Sequence, residues 1–200
     1  SDISVDSPTN NFATWNPLLN TPATTGTVTF SEGNLSATTP NSGSGITISS
    51  MGATSGKYYA EILYSAQTNL RRMGVCITGD VQGTIDLNTN IGTLSSGLDV
   101  MYYSDTGNKM TALGSEGAGA SYGDTYSVGD IIGIALNIDD SQVTFYKNGV
   151  SQGAISFTSG GTYHFALCDA SGGAGATGIL NAGQDSSFAG NKTAQGNQDG

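Results

Sequence analysis

YSVGDIIGIALNIDDSQVTFYKNGVSQGAISF, residues 126–157, is the stretch whose reading decides the fold. Ile132, Ile134, Leu136 and Ile138 recur at every second position, with Gly133, Ala135 and Asn137 between them. Side chains two apart share one face of a strand, so this period predicts a half-buried strand. Asp139-Asp140 follows as a turn, and Val143 and Phe145 then alternate with Gln142, Thr144 and Tyr146. Asn148-Gly149 is a strong hairpin signal, because both central residues of a type I′ turn need positive φ. A third strand returns from Val150 to Phe157. A turn made by Asp139 and Asp140 alone sets Leu136 opposite Val143 and Ile134 opposite Phe145. An odd loop would place apolar side chains opposite polar ones, so an even loop is favoured. The expectation is an antiparallel meander with one buried face.

Outward from this stretch the same period recurs. Tyr58, Ala60, Ile62 and Tyr64 share one face of a predicted strand, and Lys57, Tyr59, Glu61 and Leu63 share the other. Shorter strands are expected around residues 27–30, 34–37, 46–49, 73–77, 98–103, 109–113, 163–168 and 177–180. A loop holding Arg71 and Arg72 is expected before the strand at 73–77. Residues 84–96 read mostly as loop, and the Gly-rich 115–123 as a mobile or binding loop. No helical period persists for three turns. With 30 Gly in 200 residues and 36% hydrophobic residues, the chain reads as a turn-rich β protein of one domain.

Gly-Asp-Ile-Ile-Gly-Ile-Ala-Leu at 129–136 and Val-Thr-Phe-Tyr-Lys-Asn-Gly-Val at 143–150 resemble the central signature of the SPRY domain. Gly56-Lys57-Tyr58-Tyr59-Ala60-Glu61-Ile62 resembles its early strand, and Met73-Gly74-Val75 the next. The resemblance spans about residues 50–183. It implies an all-β fold, a two-sheet antiparallel β-sandwich of the concanavalin A-like, SPRY jelly-roll kind. Three regions follow: an extended N-terminal arm at 1–25, the sandwich at 26–183 and a polar C-terminal extension at 184–200. Phe12, Trp15 and Leu18 are candidate anchors of the arm. Past residue 183 the only large apolar side chain is Phe188, too little to bury a core alone. The stretch 8–18, Pro-Thr-Asn-Asn-Phe-Ala-Thr-Trp-Asn-Pro-Leu, is similar to the opening of SPRY-containing proteins of bacteriophages, marine ones especially. Residues 183–191 resemble a segment after the SPRY core in those proteins, where the chain usually continues. The chain starts at Ser1 without Met, so it is expected to be processed or part of something longer.

The net charge is −10, from 16 acidic and six basic residues. Such a surface repels phosphate backbones and anionic membranes, which argues against nucleic acid as a partner and against membrane insertion. No apolar run reaches the roughly 18–20 residues of a spanning helix, and no signal peptide is visible. Cys76 and Cys168 are the only cysteines. They read as two buried thiols or as one disulfide between neighbouring strands.

Catalytic patterns are not found. The three glutamates, Glu32, Glu61 and Glu116, are far apart and lack the Glu-x-Asp-x-(x)-Glu pattern of glycosidases on this architecture. His164, the one histidine, lies four residues from Cys168, about 13 Å along a strand. No dyad forms within that strand, and a packed or edge histidine is expected. No cofactor is expected. A calcium site built from Asp124, Asp130, Asp139 and Asp140 is the remaining metal reading, and turn formation is the reading favoured for the adjacent pair. Candidate binding residues are Arg71 and Arg72, as a clamp for a carboxylate or an acidic partner surface, with a solvated turn pair as the favoured reading, and Tyr102, Tyr103, Tyr122 and Tyr126, as stacking surface, with core or rim packing as the default. The candidate loops are 66–72, 78–96 and 115–124.

The resemblance thus implies a non-enzymatic virion structural protein of a bacteriophage: a capsid decoration, head fibre or tail component, localised to the extracellular particle. Its sandwich would contact other virion proteins or attach to a host-surface protein or glycan, as a homo-oligomer or in many copies. The alternative reading is a lectin-like, carbohydrate-binding receptor module.

Overall fold

A computed structural model describes residues 11–18, 27–40, 45–66, 71–77, 100–111, 119–158, 160–169 and 175–193, with backbone alone for 71–77 and 169. Its strands in chain order are β1 (Thr29–Ser31), β2 (Ser36–Thr38), β3 (Gly45–Ile48), β4 (Lys57–Ala66), β5 (Arg71–Ile77), β6 (Val100–Tyr103) and β7 (Asn108–Thr111). There follow β8 (Ala120–Ser121), β9 (Ile131–Asn137), β10 (Gln142–Lys147), β11 (Val150–Ser156), β12 (Tyr163–Asp169) and β13 (Thr177–Asn181). They form a seven-stranded sheet, β1-β2-β13-β4-β9-β10-β11, and a six-stranded sheet, β3-β12-β5-β6-β7-β8. Every pairing is antiparallel.

The deciding meander folds as its period dictates. Leu136 pairs with Val143 and Ile134 with Phe145, and all four are buried. Asn148 and Gly149 take φ of 49° and 82°, the left-handed pair that the hairpin between β10 and β11 requires. The β10–β11 ladder shifts register between Thr144 and Tyr146. There the Phe145 N–H donates to the Tyr122 hydroxyl at 3.3 Å, and that hydroxyl donates to the Gly153 carbonyl at 2.5 Å. A bulge filled in this way also blunts the edge of the sheet against further pairing.

Between the sheets lies one core. Ala60, Ile62, Tyr64, Ile132, Ile134 and Phe145 face Val100, Tyr102, Tyr163, Phe165 and Leu167. Trp15 belongs to it and is fully buried. Its indole N–H donates to the Gly178 carbonyl at 3.1 Å, its backbone N–H to Asn34, and the Asn16 N–H to Ile48. The segment 11–18 therefore lies along β3 and ties it to the turn before β2, and Trp15 is its anchor. Leu18 is not an anchor: it is 89% exposed. Phe188 finds a core of its own, buried with Leu63 and Ile179 on the outer face of the seven-stranded sheet. Asp185 holds the turn that aims it there, accepting from the Ser187 and Ala189 N–H groups.

Two other readings change. Arg71 and Arg72 stand in β5, not in a loop, because their backbone pairs with Asp169 and Cys168 of β12. Register also separates the cysteines. Cys76 lies opposite His164, four residues from Cys168, about 13 Å along the ladder. A disulfide spans roughly 4.4–6.8 Å between Cα atoms, so the disulfide alternative is excluded.

Candidate functional site

Two consecutive aromatics at the start of β4 create the site. Adjacent strand residues point to opposite faces, so Tyr58 turns toward the inter-sheet space and Tyr59 toward the outer face. Tyr58 stands opposite the core residue Leu136 yet is 47% exposed; Tyr59 is 52% exposed.

Tyr59 lies across Gly133 of the neighbouring strand. A Cβ at position 133 would sit 2.4 Å from the Tyr59 hydroxyl and 3.0 Å from Cζ. Only glycine lets the ring settle there. The hydroxyl donates to Glu61 Oε1 at 3.0 Å, and Asn181 Nδ2 donates to Glu61 Oε2 at 3.4 Å. The Tyr146 ring meets Tyr59 edge-on, with centroids 6.4 Å apart. Burial of the hydroxyl, the Glu61 charge and hydrogen bond, and Tyr146 hold the Tyr59 phenol above its ordinary range.

Two hollows meet at these rings. The first is an apolar slot of about 220 Å³ at the end of the sandwich. Tyr58 and Leu136 line it from one sheet, Tyr163 and Phe165 from the other, and Phe12 and Met51 form its lip. Met51 is 46% exposed. The second is a shallower groove of about 400 Å³ over the outer face, walled by Lys57, Ala135, Asn137, Gln142 and Thr144. Tyr58, Tyr59 and Leu136 line both, so the two hollows adjoin along the start of β4 as a two-part depression.

Short ties hold the rim. Ala53 and Tyr163 exchange backbone hydrogen bonds at 3.0 and 2.8 Å. Phe12 touches Gly183, and Gln184 Nε2 donates to the Ala13 carbonyl at 3.0 Å. The Gly56 N–H donates to Asp139 Oδ1 at 2.8 Å, and Asn137 Nδ2 to Asp140 Oδ2 at 2.7 Å. Lys57 and Asp140 stand 4.0 Å apart, both mostly exposed, a pair that contributes little to stability. The depression thus offers ring faces, amides, a hydroxyl and charges on a rigid frame, which is equipment for contact.

The residues singled out from sequence lie elsewhere. Tyr102, Tyr103 and Tyr126 are buried and present no ring face to a partner. Tyr102 packs at 4.9–5.5 Å between centroids, edge-on to Tyr122 and tilted against Tyr126 and Phe145. Its hydroxyl donates to the Asp124 carbonyl, and the Tyr126 hydroxyl donates to the Tyr102 carbonyl at 2.7 Å. Burial, then the charges of Asp124, Tyr122 and Asp130, push the Tyr102 phenol upward. Tyr122 is half-buried, and its hydroxyl fills the bulge. The side chains of Arg71 and Arg72 lie outside the described residues. So do most of the three candidate loops. The strands flanking 67–70 and those flanking 78–99 meet at opposite ends of the sandwich.

His164 and Asp130 have structural partners. His164 is buried, with Nδ1 at 2.8 Å from the Ser49 carbonyl. Asp130 accepts from Ser127 and Asn148 and stands 3.9 Å from Lys147. Burial alone would raise its pKa, but those hydrogen bonds and that charge outweigh it and lower it. Among the described residues no three of His, Cys, Asp or Glu converge on a metal position. Asp140 bonds Asn137 within its own turn, whereas Asp139 accepts from the Gly56 N–H just before β4.

The depression is what sequence reasoning missed. Its one signal was Lys57-Tyr58-Tyr59: consecutive aromatics in a strand cannot both face the same core.

The SPRY domain family model matches residues 57–177. Among solved structures, the chain is similar to the SPRY domain of human HERC1, with 17% identity and a TM-score of 0.58, over 74% of this chain and 89% of that one. It is also similar to stonustoxin, with 16% identity and a TM-score of 0.61, over 86% of this chain and 27% of that one. At these identities the likeness concerns the fold. No curated protein matches the chain.

Proposed function

Because the chain belongs to the SPRY domain family, typically a non-catalytic protein-interaction module, we propose that it is a non-enzymatic binding component of a bacteriophage virion. It engages other virion proteins, or a host-surface protein, through the depression around Tyr58 and Tyr59. The observation that carries the binding role is that depression: exposed rings over a slot of about 220 Å³, on strands that do not need to move. A slot of this size takes one large apolar side chain, the anchor geometry of protein interfaces. The virion placement, on the outside of a capsid, tail or fibre, is supported by the resemblance of residues 8–18 and 183–191 to phage proteins. Many copies on one particle would let weak single contacts sum to firm attachment.

The experiment has two arms. Antibody raised against the chain is applied to purified phage particles and located by electron microscopy. In parallel, immobilised chain captures proteins from dissociated particles, with Tyr58→Ala and Met51→Ala as controls. Labelled particles and a captured virion protein lost in both variants are the expected results. Particles without the chain would overturn the virion placement, and capture unchanged in both variants would overturn the site. The Asn137 and Gln142 amides beside an exposed ring favour a second reading, glycan attachment, which a glycan array tests directly.

A further inference from the structure

The charges around the depression narrow the chemistry of what it takes, an inference resting on the binding role proposed above. Among the described residues three carboxylates, Glu61, Asp139 and Asp140, stand on or beside the outer groove, against one cation, Lys57, which lies 4.0 Å from Asp140. Among the described residues Glu61 has no cationic partner; its oxygens take a phenol and an amide. The whole chain carries −10. Its field therefore attracts cationic segments and repels acidic ones. Between these carboxylates lies the exposed ring of Tyr59. A tyrosine face attracts a guanidinium or ammonium through the ring quadrupole, and a flanking carboxylate adds to the attraction. The slot beside it, lined by Leu136, Tyr163 and Phe165, is apolar and accepts no charge without cost.

We propose that the depression binds a basic protein segment. A large apolar side chain of the partner enters the slot past Tyr58, and an arginine or lysine close to it lies over Tyr59 between Glu61 and Asp140. Apolar anchor and cation sit on adjoining parts of one surface, so the segment must carry them within a few residues of each other.

The test uses the full chain, isotopically labelled, and three probes: acetyl-Gly-Leu-Trp-Arg-Gly-Arg-amide, its counterpart with Glu for Arg, and cellotetraose. The basic peptide is expected to shift the amide resonances of Tyr59, Ala135 and Thr144 in a saturable way. Its affinity should fall as salt is raised, since screening acts within roughly 10 Å at 0.1 M. Tyr59→Ala should weaken binding about two- to five-fold. Glu61→Gln, which keeps an acceptor for the Tyr59 hydroxyl, should weaken the basic peptide and leave cellotetraose unchanged. Thermal unfolding of both variants shows whether they fold. The inference is overturned if the acidic peptide binds as well as the basic one, or if Tyr59→Ala and Glu61→Gln both fold and bind the basic peptide unchanged. Acidic-peptide shifts at these same amides would leave the protein-binding role standing while removing the partner chemistry. Cellotetraose shifting them with neither peptide doing so would remove both and favour the glycan reading.

Discussion

Replacing Trp15 by alanine tests whether the N-terminal segment is part of the fold. Trp15 is fully buried between the sheets, its indole N–H donates to the Gly178 carbonyl, and its backbone joins Asn34 to Ser49, just past β3. Removing a buried tryptophan side chain costs about 3–5 kcal/mol through lost transfer energy and the cavity left behind. The Gly178 carbonyl also loses its donor, worth about 0.5–1.5 kcal/mol. The expected loss for Trp15→Ala is therefore about 4–6 kcal/mol, a large part of the roughly 5–15 kcal/mol that holds a domain folded. Trp15→Phe keeps most of the burial and loses the N–H, so it should cost about 1–3 kcal/mol. Guanidinium unfolding followed by far-UV circular dichroism measures both. The wild type supplies an independent readout, because Trp15 is the only tryptophan. Its emission should be blue-shifted and shielded from iodide, and should change together with the β-sheet signal. A loss in Trp15→Ala below about 1 kcal/mol, far under the range for buried tryptophan, would refute the reasoning. Iodide quenching of Trp15 in the native state would refute it too.

Phe188→Ala should cost about 3 kcal/mol, the low end for a buried phenylalanine because its cluster is small, read from the same unfolding curves. Gly133→Ala should lift the Tyr59 ring off its seat, since the added Cβ would lie 2.4 Å from the hydroxyl. Partner capture should drop while the thermal midpoint moves little, because the displaced group is the mobile end of a half-exposed side chain; unchanged capture would count against Tyr59 as a contact. Alkaline pH should destabilise the chain. The Tyr59, Tyr102 and Tyr122 phenols have folded pKa values above the ordinary 10.0, so their contribution is complete below pH 10.0 and is lost as pH rises toward the folded values. Tyr102→Phe should flatten that decline when urea midpoints are compared across the range.

Residues 129–150 show how much was legible from sequence. Period-two alternation and the Asn148-Gly149 turn are local properties, and they determined the meander, its register and its buried face before any lateral neighbour was known. The site was less legible. Tyr102 and Tyr126 look like Tyr58 and Tyr59 in sequence, yet the first two are core and the second two are surface. Alternation gives the face a side chain takes; it does not give the depth of that position in the sandwich. Phe188 looked stranded in a polar tail, and only the fold shows the apolar patch of Leu63 and Ile179 that receives it.

Taken by itself, the sequence determined an all-β chain of antiparallel strands, with strong family signals in its central meander. Tertiary structure alone decided the order of the strands, with β13 inserted between β2 and β4, and the docking of Trp15 into the core. It also decided the hollows shared by β4, β9, β10, β12 and the segments 11–13 and 51–53. The reason is physical: turn chemistry and side-chain period act over a few residues, whereas a pocket is made by residues over a hundred positions apart, such as Phe12 and Tyr163.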